Sequence, residues 1–230
     1  PGCGQVHQAD RLMPIFDLKD ANAGYNGRAV LSNVSLRIEK GERVALVGRS
    51  GAGKSTLLAL LYSQRRRGSA LIPQDPGLVR TLSVFHNIFM GRLHMNGAWY
   101  NLLNLARPMR GEIEKIEPIV ARLGLEDEMF TPAGELSGGQ RQRTAVGRAL
   151  YQQGDVVLGD EPVSAVDGHQ ARLVLDAIAE AHETVVLAMH DVELALAYTD
   201  RIVGLNGGRV VMDEPSAGLT RGDLDSLYER

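Results

Sequence analysis

"RVALVGRSGAGKSTLLALLY", residues 43–62, places an apolar strand-like run, a glycine-rich loop and an apolar helix start in immediate succession. The loop "GRSGAGKST" (48–56) fits G-x-x-x-x-G-K-[ST] in the strand–loop–helix context that the pattern requires. Gly48, Gly51 and Gly53 relieve the steric limits on a tight turn. The backbone N–H groups of Gly48, Arg49, Ser50, Gly51, Ala52, Gly53 and Thr56 can then converge on phosphate oxygens. The helix that follows adds a partial positive charge at its N-terminus. Lys54 supplies a point charge to β- and γ-phosphates, and the Ser55 hydroxyl is a ligand for Mg²⁺. The stretch predicts an α/β fold with a P-loop NTPase (RecA-like) core, and by itself leaves kinases, GTPases and other NTPases open.

The rest of the chain supports that core. Strand-like runs at 15–21, 30–38, 43–47, 69–72, 155–160, 184–189, 200–205 and 208–213 alternate with helix-like runs at 54–62, 168–181, 191–198 and 220–229. Such alternation predicts a mostly parallel sheet. Asn206-Gly207 in "LNGGRVV" signals a hairpin between the last two strands. Between about 75 and 152 only helical patterns occur, which predicts a helical insert. A single domain is expected over 13–230, with 13–74 and 153–230 forming the nucleotide-binding core and 75–152 the helical part.

A P-loop calls for an acidic strand end nearby, and "DVVLGDEP" (155–162) supplies one. Asp160 is placed to hold Mg²⁺ through water, and Glu161 to take a proton from an attacking water as general base. Elsewhere, "LSGGQRQR" (136–143) opens an amphipathic helix with two glycines, each costing about 1 kcal/mol relative to alanine. Ser137 and Gln140 form an S-x-x-Q capping-box pattern, and Asp167 with Gln170 a D-x-x-Q pattern. The acids Glu126-Asp127-Glu128 and the lone Trp99 read as solvated face and core packing.

Composition narrows the classes of function. The 230 residues are 44% hydrophobic and 23% charged, with a formal net charge of −3. No global basic field results, so nucleic acid is not expected as a partner. Arg65-Arg66-Arg67 reads as a solvated loop. Cys3 is the single cysteine, which excludes an intrachain disulfide and points to a reducing compartment. Apolar stretches such as "VVLAM" (185–189) fall far short of the roughly 20 residues that span a bilayer. Residues 1–12 are polar without a signal-peptide h-region, and are expected to form a flexible tail.

The word "LSGGQ", about 20 residues before the acidic strand, resembles the signature of the ATP-binding-cassette (ABC) ATPases. Other family elements stand in order. Tyr25 resembles the adenine-stacking aromatic, Gln74 in "LIPQDP" the Q-loop glutamine that contacts Mg²⁺ or water, "SAVD" (164–167) the D-loop, and His190 the switch histidine that contacts the γ-phosphate. The resemblance implies an ATP hydrolase using MgATP, in which two copies bind ATP head to tail. Ser137, Gly138, Gly139, Gln140 and Asp167 of one copy would then complete the site of the other, the signature glycines allowing close approach of its phosphate. Lys54 and Gln74 are only 20 residues apart, about half the family's usual spacing, which implies a shortened antiparallel β subdomain.

"PGLVRTLSVFHNIFMGRL", "HDVELALAYTDRIVGLNGGRVVMDEP" and the helix "AWYNLLNLA" are most similar to the ATPase subunits of phosphonate importers and their phosphite or hypophosphite relatives. That resemblance implies two transmembrane permease subunits, a periplasmic substrate-binding protein, and a peripheral position on the cytoplasmic face of the bacterial inner membrane. The motor of another ABC system (amino-acid import, lipoprotein release or a division-type complex) stays open as an alternative. So does a soluble ABC protein, although the sequence has no long coiled-coil insert, second cassette or basic arm.

Overall fold

A computed structural model describes residues 14–25, 27–225, 227 and 228; the tail expected at 1–12 lies outside the described residues. In chain order the elements are β1 (Pro14–Tyr25), β2 (Arg28–Glu39), β3 (Arg43–Val47), α1 (Lys54–Gln64), β4 (Ser69–Ile72), α2 (Val84–Phe89), α3 (Ala98–Ala106), α4 (Arg110–Arg122), α5 (Gly138–Gln152), β5 (Val156–Asp160), α6 (Gly168–Ala181), β6 (Thr184–Ala188), α7 (Val192–Tyr198), β7 (Arg201–Asn206), β8 (Arg209–Pro215) and α8 (Arg221–Asp225). They fall into two compact units.

The first unit takes in the described residues up to Ser69, together with 155–161 and the chain from 182 onward. Its sheet runs in the order β5-β6-β3-β7-β8. The first four of these strands are parallel, and β8 returns antiparallel to β7. β3, β5 and β6 are buried along almost their whole length, which explains why they read as continuous apolar runs rather than alternating ones. Leu57, Leu58 and Leu61 of α1 are buried against this sheet. β1 and β2 pair antiparallel as a separate two-stranded arm whose inner positions include Phe16, Leu18, Val34, Leu36 and Ile38. The short connection from α1 contains a 3₁₀ turn, Arg66–Gly68, and Arg65 there pairs with Asp155 at 2.5 Å.

Two local expectations shift in this unit. The hairpin turn falls on Gly207-Gly208, not Asn206-Gly207, because Asn206 still pairs with Arg209. Both turn residues have positive φ, 55° and 75°, as a type I′ turn demands. The helix expected over 220–229 is described only for Arg221–Asp225, with Leu224 and Leu227 buried as its anchors.

The second unit comprises 70–154 and 162–181. Helix α6 therefore groups with the helices, although its sequence position suggests the α/β core. Its buried stripe of Ala171, Val174, Leu175 and Ile178 explains this, since α6 packs on α4 and α5. Within the stretch expected to be helical, α2 ends at Phe89 and the chain continues as a 3₁₀ segment, Met90–Met95, with Arg92 at φ −115°. Asn87 is fully buried. Its side chain accepts from Val79 N (2.8 Å) and donates to the carbonyls of Val79, Leu82 and Ser83 (2.9–3.1 Å), tying that loop to α2.

Glu112 is the buried carboxylate of this unit. It accepts from Tyr100 Oη and Lys115 Nζ, each at 2.7 Å, and from the Tyr151 hydroxyl. Burial alone would raise its pKa, yet hydrogen bonds from Lys115, Tyr151 and Tyr100 outweigh burial and hold it below the ordinary value of 4.5. A carboxyl with a depressed folded-state pKa stabilises the fold above its unfolded value, and the stability is lost as pH falls through the folded value. Glu112→Ala is therefore expected to cost about 1–3 kcal/mol at neutral pH by stranding the buried hydroxyl of Tyr151. Urea unfolding measured at pH 7 and again below pH ~4 should show the difference shrinking in acid.

Candidate functional site

The loop 48–53 begins where β3 leaves the sheet. Gly48, Gly51 and Gly53 have φ of 137°, 80° and 105°, conformations that side chains rarely adopt. One of them is also sterically required, since a Cβ on Gly48 would lie 2.2 Å from the backbone oxygen of Leu205; one on Gly53 would lie 2.7 Å from Leu31 Cδ2, which would have to shift. Gly53 carries no side-chain cap, so the first-turn N–H groups of α1 are left for a ligand. Lys54 is buried and folds back over the loop, donating to Gly48 O at 2.6 Å and Arg49 O at 3.2 Å. Burial pushes its ammonium below the ordinary lysine value, and the carboxylates of Glu161 and Asp160 push the other way. Ser55 is exposed at the helix start, beside the buried Thr56.

The acidic strand end arrives at the same edge. Asp160 closes β5 opposite Ala188 of β6, and Glu161 N donates to Ala188 O at 3.0 Å. Glu161 has φ 55°, an uncommon backbone for a residue with a side chain. Its Oε1 lies 2.6 Å from Nε2 of His190, which follows β6 two residues on. Met189 N donates to Leu46 O at 3.0 Å and holds that end of β6 to β3. The carboxyl ends of β3, β5 and β6 thus bring Lys54, Asp160, Glu161 and His190 to one edge, where ligands bind in open α/β sheets. Asp160 Oδ1 is buried without a hydrogen-bond partner, an acceptor suited to a cation or its bound water. Tyr25 ends β1, pairs with Arg28 across the arm, and is 59% exposed, leaving its ring open for stacking.

The remaining sequence candidates belong to the second unit. Gln74 is exposed on the bend after β4. The following carbonyls of Pro76 and Gly77 accept from Arg148 at 2.7 and 3.2 Å. Ser137 caps α5: Ser137 Oγ accepts from Gln140 N (3.2 Å) while Gln140 Oε1 accepts from Ser137 N (2.8 Å), a complete capping box. Asp167 Oδ1 accepts from Gln170 N at 2.9 Å and starts α6. The two signature glycines differ. A Cβ on Gly138 would meet open space, whereas one on Gly139 would lie 3.0 Å from Ala165 O and 3.3 Å from Val166 Cγ1. Gly139 therefore also admits the backbone of its own "SAVD" loop.

Several contributors are not legible in the sequence. Glu128, which reads as solvated face, accepts from Gln140 Nε2 at 2.7 Å. Tyr228 Oη accepts from Gly48 N at 3.4 Å, and burial raises that phenol's pKa, so the hydroxyl stays protonated. Leu31 and Leu205 press on the loop from sequence distances that no local pattern encodes.

A family model described as ABC transporter matches residues 31–164. The phosphonates import ATP-binding protein PhnC of Pseudomonas entomophila (strain L48) is 39% identical over 92% of this chain and 90% of its own. The protein of the same name from Rhizobium etli is 36% identical over 93% of this chain and 86% of its own. Among solved structures, a bacterial ABC transporter cassette in its dimeric form superposes with a TM-score of 0.75 at 25% identity, covering 88% of this chain and 99% of that one. The same cassette as a post-hydrolysis dimer bound to ADP and Pi gives a TM-score of 0.73 over the same shares. These cassettes share the α/β P-loop NTPase fold that the loop at 48–56 predicts.

Removing the Ser137 hydroxyl removes half of the capping box. Ser137→Ala is expected to lower stability by about 1 kcal/mol, read from the denaturant midpoint. An unchanged midpoint would show that the box contributes nothing in solution.

Proposed function

Because this chain belongs to the ATP-binding-cassette transporter family, we propose that it is the ATP-hydrolysing motor of a membrane importer for phosphonate-, phosphite- or hypophosphite-type anions. The observation that carries the enzymatic part is the Glu161–His190 contact of 2.6 Å, at the same strand edge as Lys54 and the P-loop. The substrate class is supported by relatives named for phosphonate import across most of this chain.

In this reading the amides of residues 48–56 surround the ATP phosphates, and Lys54 exchanges its two carbonyl partners for β- and γ-phosphate oxygens. The adenine stacks on Tyr25, an interaction worth roughly 1–3 kcal/mol. Glu161 accepts a proton from the water that attacks the γ-phosphorus. The bond from that phosphorus to the bridging oxygen breaks, leaving ADP and inorganic phosphate. His190 holds the carboxylate of Glu161 in place and contacts the γ-phosphate. Ser55 and Asp160 are the residues that would hold Mg²⁺, which supplies charge neutralisation between the phosphates.

Ser137, Gly138, Gly139, Gln140 and Asp167 face the ATP of a second copy, so nucleotide joins two cassettes and hydrolysis releases them. ATP shifts that open–closed equilibrium only by its differential affinity for the two states. Gln74 reports the state of the nucleotide site to the transport partner. The assembly is two copies of this chain on two permease subunits, at the cytoplasmic face of the inner membrane, supplied by a periplasmic binding protein. Within the chain, residues 13–230 act as one ABC ATPase domain.

Glu161→Gln is expected to bind ATP, lose turnover and accumulate as a dimer on size-exclusion chromatography; an active, monomeric variant would refute the general-base role. Ser137→Arg should abolish hydrolysis while a single cassette still binds nucleotide, and full activity would exclude a shared site. With permease and binding protein reconstituted in vesicles, ATPase activity should rise on adding phosphonate, phosphite or hypophosphite. Stimulation by none of the three would remove the substrate assignment.

A further inference from the structure

Gly208, at the tip of the β7–β8 hairpin, touches the loop at 48–53 and strand β2 at once. Its N–H donates to Ala52 O of the phosphate loop at 3.2 Å, and its carbonyl accepts from Ser32 N of β2 at 2.9 Å. Its φ is +75°, and a Cβ there would lie 1.9 Å from Val30 O and 2.9 Å from Val30 C. No side chain fits that gap, because the obstruction is backbone. Gly53 meets the same place from the other side, where its Cβ position lies 2.7 Å from Leu31 Cδ2 and 3.7 Å from Gly208 Cα. Residues 30–32 therefore touch both the hairpin tip and the phosphate loop. Two residues before Val30, Arg28 pairs with Tyr25. The neighbouring turn residue supplies an internal contrast: Gly207 also has positive φ, +55°, but a Cβ there meets nothing within 4 Å.

We propose that Gly208 is a positioning residue for nucleotide binding. It acts as a strut that sets the spacing between the phosphate loop and the arm bearing Tyr25, an inference that rests on the ATP-binding role proposed above. A ligand that must reach both ends is sensitive to that spacing, since sub-ångström misplacement of binding groups is costly. A ligand that engages only the phosphate end is less so. Nothing in the sequence marks the residue beyond a turn glycine, because Val30 and Ala52 lie more than 150 positions away.

The test compares Gly207→Asn with Gly208→Asn in the full chain. Asparagine tolerates the left-handed backbone, so the pair separates turn strain from the clash at Val30 O. Calorimetric titration with MgATP and with magnesium tripolyphosphate, which has no base, gives the two readouts. G207N is expected to bind both ligands as the parent does. G208N should weaken MgATP by about tenfold or more and tripolyphosphate by clearly less. Equal affinities of G207N and G208N for MgATP would overturn the strut. So would equal losses for both ligands in G208N, which would indicate damage to the loop alone. If G208N yields no folded protein, Leu31→Ala removes the side chain packed on Gly53. That variant should raise the Kd for MgATP by about threefold or more, and the Kd for tripolyphosphate by clearly less. An unchanged Kd there also overturns the proposal. A parent chain that binds no MgATP overturns the ATP-binding reading itself, a result distinct from a selective failure of the variants.

Discussion

Lys54 carries a positive charge into a buried position, and much of the first unit is arranged around that charge. An ammonium removed from water is costly unless acceptors and countercharges replace the lost solvent. Here two loop carbonyls accept its hydrogen bonds, and the carboxylates of Asp160 and Glu161 oppose the effect of burial on its pKa. Those carboxylates reach the lysine because β3, β5 and β6 are parallel and end at the same edge. The parallel order in turn requires helical crossovers and buried faces, which the continuous apolar runs of these strands supply.

The same economy of backbone groups governs the helix starts. Gly53 leaves the first amides of α1 uncapped, while Ser137 and Gln140 cap α5 reciprocally and Asp167 caps α6. An uncapped start retains free donors for a phosphate, and a capped start is stable without one. The two glycines of "LSGGQ" divide the work similarly, Gly138 facing open space and Gly139 making room for Ala165.

Much of this was legible along the chain. The loop at 48–56 and the acidic end of β5 are local words whose residue types and order suggest their chemistry, whereas the histidine after β6 stands out only through the family resemblance. Strand and helix runs were readable too, since burial on one face leaves a period in the apolar pattern and burial on both faces leaves a short continuous run. The departures have specific causes. The turn at Gly207-Gly208 sits one residue later than the Asn-Gly signal because the register of β7 and β8 pairs Asn206 with Arg209. Helix α6 joined the helical unit because its apolar stripe packs on α4 and α5, a choice of neighbour that periodicity cannot express. Glu128 reads as a surface acid until Gln140 is seen to bond it.

The amino-acid sequence by itself determined the class of fold, the glycine-rich loop, the acid pair and the capping residues, because each depends on residues within a few positions of one another. Only the tertiary structure decided which distant groups hold that loop in shape. Leu31, Leu205, Gly208 and Tyr228 touch it across long sequence separations. Their side chains are ordinary and two of the contacts are backbone, so no residue type announces them. The physical reason is that steric fit is a property of pairs of atoms in space, and the chain encodes it only once it has folded.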